Sequence, residues 1–146
     1  ADQRLGANGL FYNWCQEVEQ ELHNAGLKDP SFFEKRIAYC REFVELLPNS
    51  DSLIIENMGR AEAEAYFALG KQVEGEKKFE SLVHDFPDSA WVYIGWGDMY
   101  CQHKWNEKIP TDCEKAENIY RAALARNIDD REVVLERLKD LKENRK

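Results

Sequence analysis

The segment AEAY at residues 63–66 is matched 34 positions later by GDMY at residues 97–100, so that a small residue opens and a tyrosine closes both segments. Beyond an insertion the correspondence resumes in four further pairs: Gly75 with Ala116, Phe79 with Tyr120, Leu82 with Ala123, and Val83 with Leu124. A repeat of this period is typical of stacked helical hairpins, because a single hairpin cannot bury its apolar face without neighbours. The sequence therefore predicts a helical solenoid.

Apolar residues recur at helical spacing in segments that Gly, Pro or capping residues separate. Capping boxes at Ser31, Thr111 and Asp129 predict the starts of the second, sixth and seventh helices. Gly95 and Gly97 lie inside the fifth predicted helix, where each glycine costs about 1 kcal/mol relative to alanine. We therefore expect close contact with another helix at both glycines.

These patterns predict an all-α fold, a right-handed α-α superhelix of three helix-turn-helix hairpins plus a C-terminal solvating helix. With 146 residues, the chain has the length of about one ordinary domain. The predicted units are a single domain at 1–146, containing a degenerate repeat at about 9–50, a repeat at 56–89, a repeat at 90–128 with an inserted loop at 103–110, and a capping helix at about 130–144.

The charge of the chain disfavours a nucleic-acid partner. The formal net charge is -8, and residues 1–103 hold 9 Lys and Arg against 18 Asp and Glu, whereas residues 104–146 hold 11 against 10. A protein that binds phosphate backbones is expected to carry a basic stripe, which the acidic larger part lacks. No apolar run approaches the roughly 18 residues that a membrane span needs, so no membrane partner is expected either.

The four cysteines, Cys15, Cys40, Cys101 and Cys113, contain no CxxC pair and show no regular spacing. A disulfide framework is therefore not expected, and all four are interpreted as buried, reduced thiols. Because reduced thiols are typical of a reducing compartment, we predict a cytoplasmic location.

Cys101, His103 and Cys113 are also metal-ligand types, and a zinc site could use them with one further donor. Their spacing, C-x-H-x9-C, matches no common zinc pattern. A nucleophilic Cys-His pair would in addition need an orienting group and an oxyanion site, and the sequence indicates neither. We expect no enzyme activity, no catalytic residue, no cofactor and no resident metal.

The repeat resembles the tetratricopeptide repeat, a helix-turn-helix of 34 residues. The family positions in the unit 56–89 are Ala63, Tyr66, Gly75, Phe79, Leu82 and the closing Pro87. Those in the unit 90–128 are Tyr93, Trp96, Gly97, Tyr100, Ala116, Tyr120 and Ala123. The second unit has Ile128 where the closing proline would lie. Residues 116–124 also resemble the second helix of the half-a-tetratricopeptide repeats of RNA-processing assemblies.

This resemblance implies a protein-protein interaction scaffold that binds a peptide or protein segment on its concave face. The family register places the following side chains on that face: Asn57, Arg60, Glu64, Phe67, Trp91, Ile94, Asp98 and Gln102. Two alternatives remain open, an RNA-processing scaffold of the half-a-repeat type and a metal-binding accessory domain of a larger protein. Self-association through the exposed ends of the solenoid is a further expectation.

Overall fold

The structure, a computed structural model, describes residues 2–102 and 106–144. All regular secondary structure in these ranges is helical, so the predicted all-α class is confirmed for this part of the chain. The helices are α1 (Asp2–Gly26), α2 (Ser31–Leu46), α3 (Ser52–Ala68), α4 (Gln72–Asp85), α5 (Ala90–Cys101), α6 (Cys113–Leu124) and α7 (Arg131–Asn144). None of these helices combines the length and the apolar character that crossing a bilayer requires.

The helices pack in the order in which they occur along the chain. Each helix contacts the next one, and in addition α1 contacts α3, α3 contacts α5, and α5 contacts α7. Within the described ranges, the even-numbered helices do not contact one another. The odd-numbered helices therefore form one continuous layer, and α1 and α7 lie at its opposite ends. The winding of this layer into a superhelix stays a prediction.

The largest hydrophobic core joins α3 to α7. Its fully buried side chains of greatest volume are Phe67, Phe79, Tyr100 and Tyr120. A smaller core, which includes Cys40 and Met58, lies between α1, α2 and α3. Since burial of a large apolar side chain contributes about 1.5–3 kcal/mol, these contacts between successive helices are the main source of cohesion.

Helices α5 and α6 approach closely at Gly97. A Cβ atom there would lie 2.4 Å from Cε1 and 2.8 Å from Cζ of Tyr120, whose buried ring is held by the hydrogen bond that its hydroxyl donates to Asp98. At Gly95 the nearest atom to such a Cβ would be Cε1 of Phe79 at 3.5 Å, an ordinary contact. The expected need for glycine is therefore confirmed at Gly97 and is wrong at Gly95.

Three predicted capping residues act differently in the structure. The hydroxyl and the N–H of Ser31 both donate to Oδ1 of Asp29, at 2.9 and 3.1 Å, instead of forming a capping box. Asp112 rather than Thr111 caps α6, since its Oδ1 accepts the backbone N–H of Lys115 at 3.0 Å. Asp129, in the loop before α7, accepts the first N–H of α5 at 3.2 Å instead of capping its own helix. At Ser31 and Thr111 a neighbouring carboxylate, a stronger acceptor than a hydroxyl, takes the free helix N–H.

A disulfide joins Cys101 at the end of α5 to Cys113 at the start of α6, with the Cα atoms 5.0 Å apart. The expectation of four reduced thiols is therefore wrong for this pair. The antiparallel packing of α5 on α6 brings the two ends of the inserted loop together, which a separation of 12 residues does not reveal. Cys15 and Cys40 are free and buried as expected, and burial raises the pKa of the Cys40 thiol.

The inserted loop at 103–110 lies partly outside the described residues, since 103–105 are not among them. The rest of the loop packs back on the preceding hairpin. Asn106 donates from Nδ2 to the carbonyl oxygen of Ala68, near the end of α3, at 2.9 Å. Ile109 is buried in the largest core. The insertion therefore satisfies a carbonyl at a helix end and adds to the core.

We expect reduction of the disulfide to lower the free energy of unfolding by about 3 kcal/mol, because the bond restricts a loop of this length in the unfolded chain. Urea titrations with and without reductant measure the difference. The matched control is Cys101→Ser/Cys113→Ser, whose stability should be equally low and insensitive to reductant. A titration of the unreduced, denatured chain that finds all four thiols free would contradict the assignment.

Candidate interaction surface

The side chains predicted to contact a partner lie on α3 and α5 or, for Gln102, directly after α5. The structure divides them into three groups. The half-buried polar group is Asn57, Arg60 and Glu64; the buried group is Phe67, Ile94 and Asp98; the exposed group is Trp91 and Gln102. Only the first and third groups are accessible to a partner.

The buried group belongs to the seam between α5 and its neighbours. Phe67 has no exposed surface, and its ring centroid lies 5.5 Å from that of Tyr100 and 5.9 Å from that of Phe79. Ile94 lies in the same core and is 2% exposed. The expectation that Phe67, Ile94 and Asp98 line an open surface is wrong, because the packed helices close over all three.

Asp98 connects three helices through one carboxylate. Its Oδ1 accepts hydrogen bonds from the Tyr120 hydroxyl and from Nε of Arg137 at 2.9 Å, and its Oδ2 accepts from Nη2 of Arg137 at 3.1 Å. Burial, reinforced by the Asp98 charge, raises the pKa of Tyr120, and the hydrogen bond to Asp98 raises the pKa of Arg137. The tyrosine therefore remains a neutral donor and the arginine a cation, which makes this a structural contact.

A polar cluster covers the surface between α1 and α3. Asn57 donates from Nδ2 to Oε1 of Gln16 at 3.0 Å, and its Oδ1 accepts from Nη2 of Arg60. Nε of Arg60 is buried 3.9 Å from Oε2 of Glu56 and has no hydrogen-bond acceptor among the described residues. An unsatisfied buried donor of this kind costs about 1–3 kcal/mol.

Arg36 of α2 is almost fully buried and links α2 to α1 and α3 next to this cluster. Its Nε donates to Oε1 of Glu19 at 2.8 Å, its Nη2 to Oε2 of Glu64 at 3.5 Å, and its Nη1 lies 3.3 Å from Nδ1 of His23. Burial raises the pKa of Glu64, and the charges of Arg36 and Arg60 oppose this effect only in part. The surroundings of the Glu64 carboxylate therefore disfavour its charged form.

Sequence reasoning missed Glu19 and Arg36, although a signal for both was present. Glu19 follows Cys15 by four residues, so both share the face of α1 that packs on the fold. Arg36 lies three residues after Phe33 and four before Cys40, within the apolar stripe of α2. A charged residue in an apolar stripe predicts a buried partner of opposite charge.

We define the α3–α5 seam as the part of the surface that carries Arg60 of α3 and Trp91 of α5. Cδ of Arg60 lies 3.8 Å from the position that a Cβ would take at Gly95. Trp91 precedes Gly95 by four residues and therefore lies on the same face of α5. The Trp91 ring is 38% exposed, and its Nε1 donates to Oδ2 of Asp130 at 2.9 Å. The indole is thus oriented by a contact with the loop that precedes α7.

The zinc alternative loses two of its ligands, since the Cys101 and Cys113 sulfurs are joined in the disulfide. His103, the third residue of that set, lies outside the described residues. Elsewhere in 2–102 and 106–144, no three His, Cys, Asp or Glu side chains converge as metal ligands would.

We predict that Glu64→Gln raises the free energy of unfolding at pH 7, because it removes a charge that burial disfavours. A glutamate whose pKa is raised in the folded state stabilises the fold at low pH and loses that contribution as pH rises through the raised pKa. The gain should therefore vanish below about pH 4, where the carboxyl is protonated in both states. Urea titrations across this pH range measure it.

The control for this experiment is Glu80→Gln, at an exposed position of α4, for which we expect no difference at either pH. A Glu64→Gln variant less stable than the native chain at pH 7 would contradict the prediction. That result would mean that the contact with Arg36 outweighs the burial of the charge.

No family model, curated protein or solved structure matches the chain. The resemblance to the tetratricopeptide repeat stays a prediction made from the residues themselves.

Proposed function

We propose that the chain is a tetratricopeptide-like scaffold, a right-handed superhelix of three hairpins with a capping helix, that binds a segment of another protein on its odd-numbered helices. The order of helix contacts supports this proposal, because stacked hairpins bring their first helices together in one layer. The period of the sequence supports it independently.

The single observation that carries the proposal is that Arg60 of α3 and Trp91 of α5 both remain accessible on the layer of odd-numbered helices. Arginine and tryptophan are the residue types most enriched among interface hot spots. The Arg60 side chain is half-buried, and its guanidinium would donate to a backbone carbonyl or a carboxylate of the bound segment. The exposed face of the Trp91 ring would cover an apolar side chain of the same segment.

The contact set is narrower than the sequence predicted. Asn57, Arg60, Glu64, Trp91 and Gln102 remain in it, because their side chains are exposed or half-buried. The amide groups of the α1–α3 cluster suit hydrogen bonds to an extended peptide backbone. Both signs of charge are present in the cluster, so we expect a segment of mixed polarity rather than a uniformly charged one.

The raised pKa of Glu64 gives secondary support. Residues that reduce stability are common at functional sites, where selection for binding outweighs selection for stability. In this proposal the hydrogen bond from Arg36 positions Glu64, and the Glu64 carboxylate accepts a further hydrogen bond from the bound segment.

The disulfide revises the proposed location. A bond between Cys101 and Cys113 persists in oxidising compartments and is rare where thiols are kept reduced. The predicted cytoplasmic location depended on four reduced thiols, and only Cys15 and Cys40 are reduced in the structure. We therefore propose an oxidising compartment as the place of action.

The proposal is tested by selecting binders from a random peptide display library on the immobilised chain. Selected peptides should bind Arg60→Ala/Trp91→Ala about 100-fold more weakly, since each truncated hot-spot residue costs at least about 1.4 kcal/mol. Far-UV circular dichroism should be unchanged, because both side chains lie at the surface of the seam. Titration calorimetry with the synthetic peptides measures the affinities.

The matched control is Arg126→Ala/Trp14→Ala, which removes the same two residue types at exposed positions away from the seam. Its affinity for the selected peptides should equal that of the native chain. Peptides that bind both double variants equally well would overturn the assignment of the seam.

A further inference from the structure

The N-terminal end of the helix layer exposes an apolar face. We define the N-terminal face by the residues of α1 that line a cavity of about 420 Å³: Trp14, Glu17, Val18, Glu21, Leu22 and Ala25. Trp14 is 60% exposed, far more than is usual for so large an apolar side chain. Glu17 and Glu21 lie one turn apart along the edge of this face. Phe32 of α2 completes the cavity lining with Nζ of Lys35 over its ring, so the face is an apolar stripe whose border carries two carboxylates and one ammonium group and is net acidic.

The opposite end of the layer carries a groove of similar size and of the opposite charge. We define the C-terminal groove by the residues of α6 and α7 around a cavity of about 520 Å³: Glu117, Arg121, Leu138, Lys139, Leu141 and Lys142. Glu117 accepts a hydrogen bond from Arg121 at 2.9 Å and so is already neutralised. Lys139 and Lys142 are exposed and form no ion pair within the described ranges. The groove is therefore apolar with a basic border.

These two surfaces cannot meet within one chain. Among the described helices, α1 contacts only α2 and α3, and α7 contacts only α5 and α6. The N-terminal face and the C-terminal groove thus lie at the two ends of an ordered series of helices. Any contact between them joins two separate molecules.

Charge decides between the two ways in which a second copy could cover the N-terminal face. A two-fold dimer through this face would bring Glu17 and Glu21 of both copies into one interface, where like charges repel. Contact with the C-terminal groove instead places the same glutamates opposite Lys139 and Lys142. The basic groove is a local exception on a chain of net charge -8, which makes it the complementary surface for an acidic border.

We propose that the chain associates head to tail, with the N-terminal face of one copy docked in the C-terminal groove of the next. Trp14 enters the groove against Leu138, and Glu17 and Glu21 pair with Lys139 and Lys142. Such a contact is heterologous and leaves a free face and a free groove at the two ends of a dimer, so further copies can add to form longer head-to-tail oligomers. The peptide-binding seam is not part of this contact, and the two proposals are independent.

Two variants, each lacking one of the two surfaces, test the proposal. Trp14→Asp removes the N-terminal face, and Lys139→Glu/Lys142→Glu reverses the charge of the C-terminal groove. Sedimentation velocity at low salt should show that the native chain forms oligomers whose size grows with concentration. Either variant alone should associate at least about tenfold more weakly. A mixture of the two variants should form a dimer and nothing larger, because one intact face and one intact groove remain. High salt should weaken the native association.

The matched control, Lys71→Glu/Lys77→Glu, makes the same charge change at exposed positions away from both ends and should associate as the native chain does. Three results would each overturn the proposal. These are a native chain that stays monomeric at every concentration, a groove variant that associates as well as the native chain, and a mixture of the two variants that stays monomeric. Circular dichroism of each variant confirms that the helices are retained.

Discussion

The contact between Gly97 of α5 and the Tyr120 ring of α6 fixes the C-terminal half of the structure. Because no Cβ separates them, the ring lies directly on the helix backbone, and its hydroxyl reaches Asp98. The same carboxylate receives the guanidinium of Arg137 from α7. One glycine thus allows a hydrogen-bonded arrangement that positions three helices, and a larger residue there would displace the ring from the carboxylate.

This arrangement also determines which surfaces remain for interaction. It buries Asp98, whereas Arg60 and Trp91 remain accessible on the layer of odd-numbered helices. It also holds α7 against α5 and α6, which forms the groove at the C-terminal end. The proposed peptide site and the proposed self-association therefore use different surfaces of the helix layer, and each can operate without the other.

The sequence predicted the helices and their order because helical periodicity and stop residues are local signals. It also predicted that Gly97 is needed, since a glycine inside a helix requires a packing reason. It did not predict the burial of Phe67 and Asp98, because a repeat register gives the face of a residue but not how tightly the next hairpin covers it. The bond between Cys101 and Cys113 was missed because it depends on two helix ends meeting in space.

The most direct test of this account compares Gly97→Ala with Gly95→Ala by urea unfolding. The two changes add the same methyl group to the same helix, so helix propensity raises stability by up to about 1 kcal/mol in both. At Gly97 the methyl group would lie 2.4 Å from the Tyr120 ring, and overpacking should give a net loss of about 1–3 kcal/mol. At Gly95 we predict no loss. Equal stability of the two variants would contradict the account.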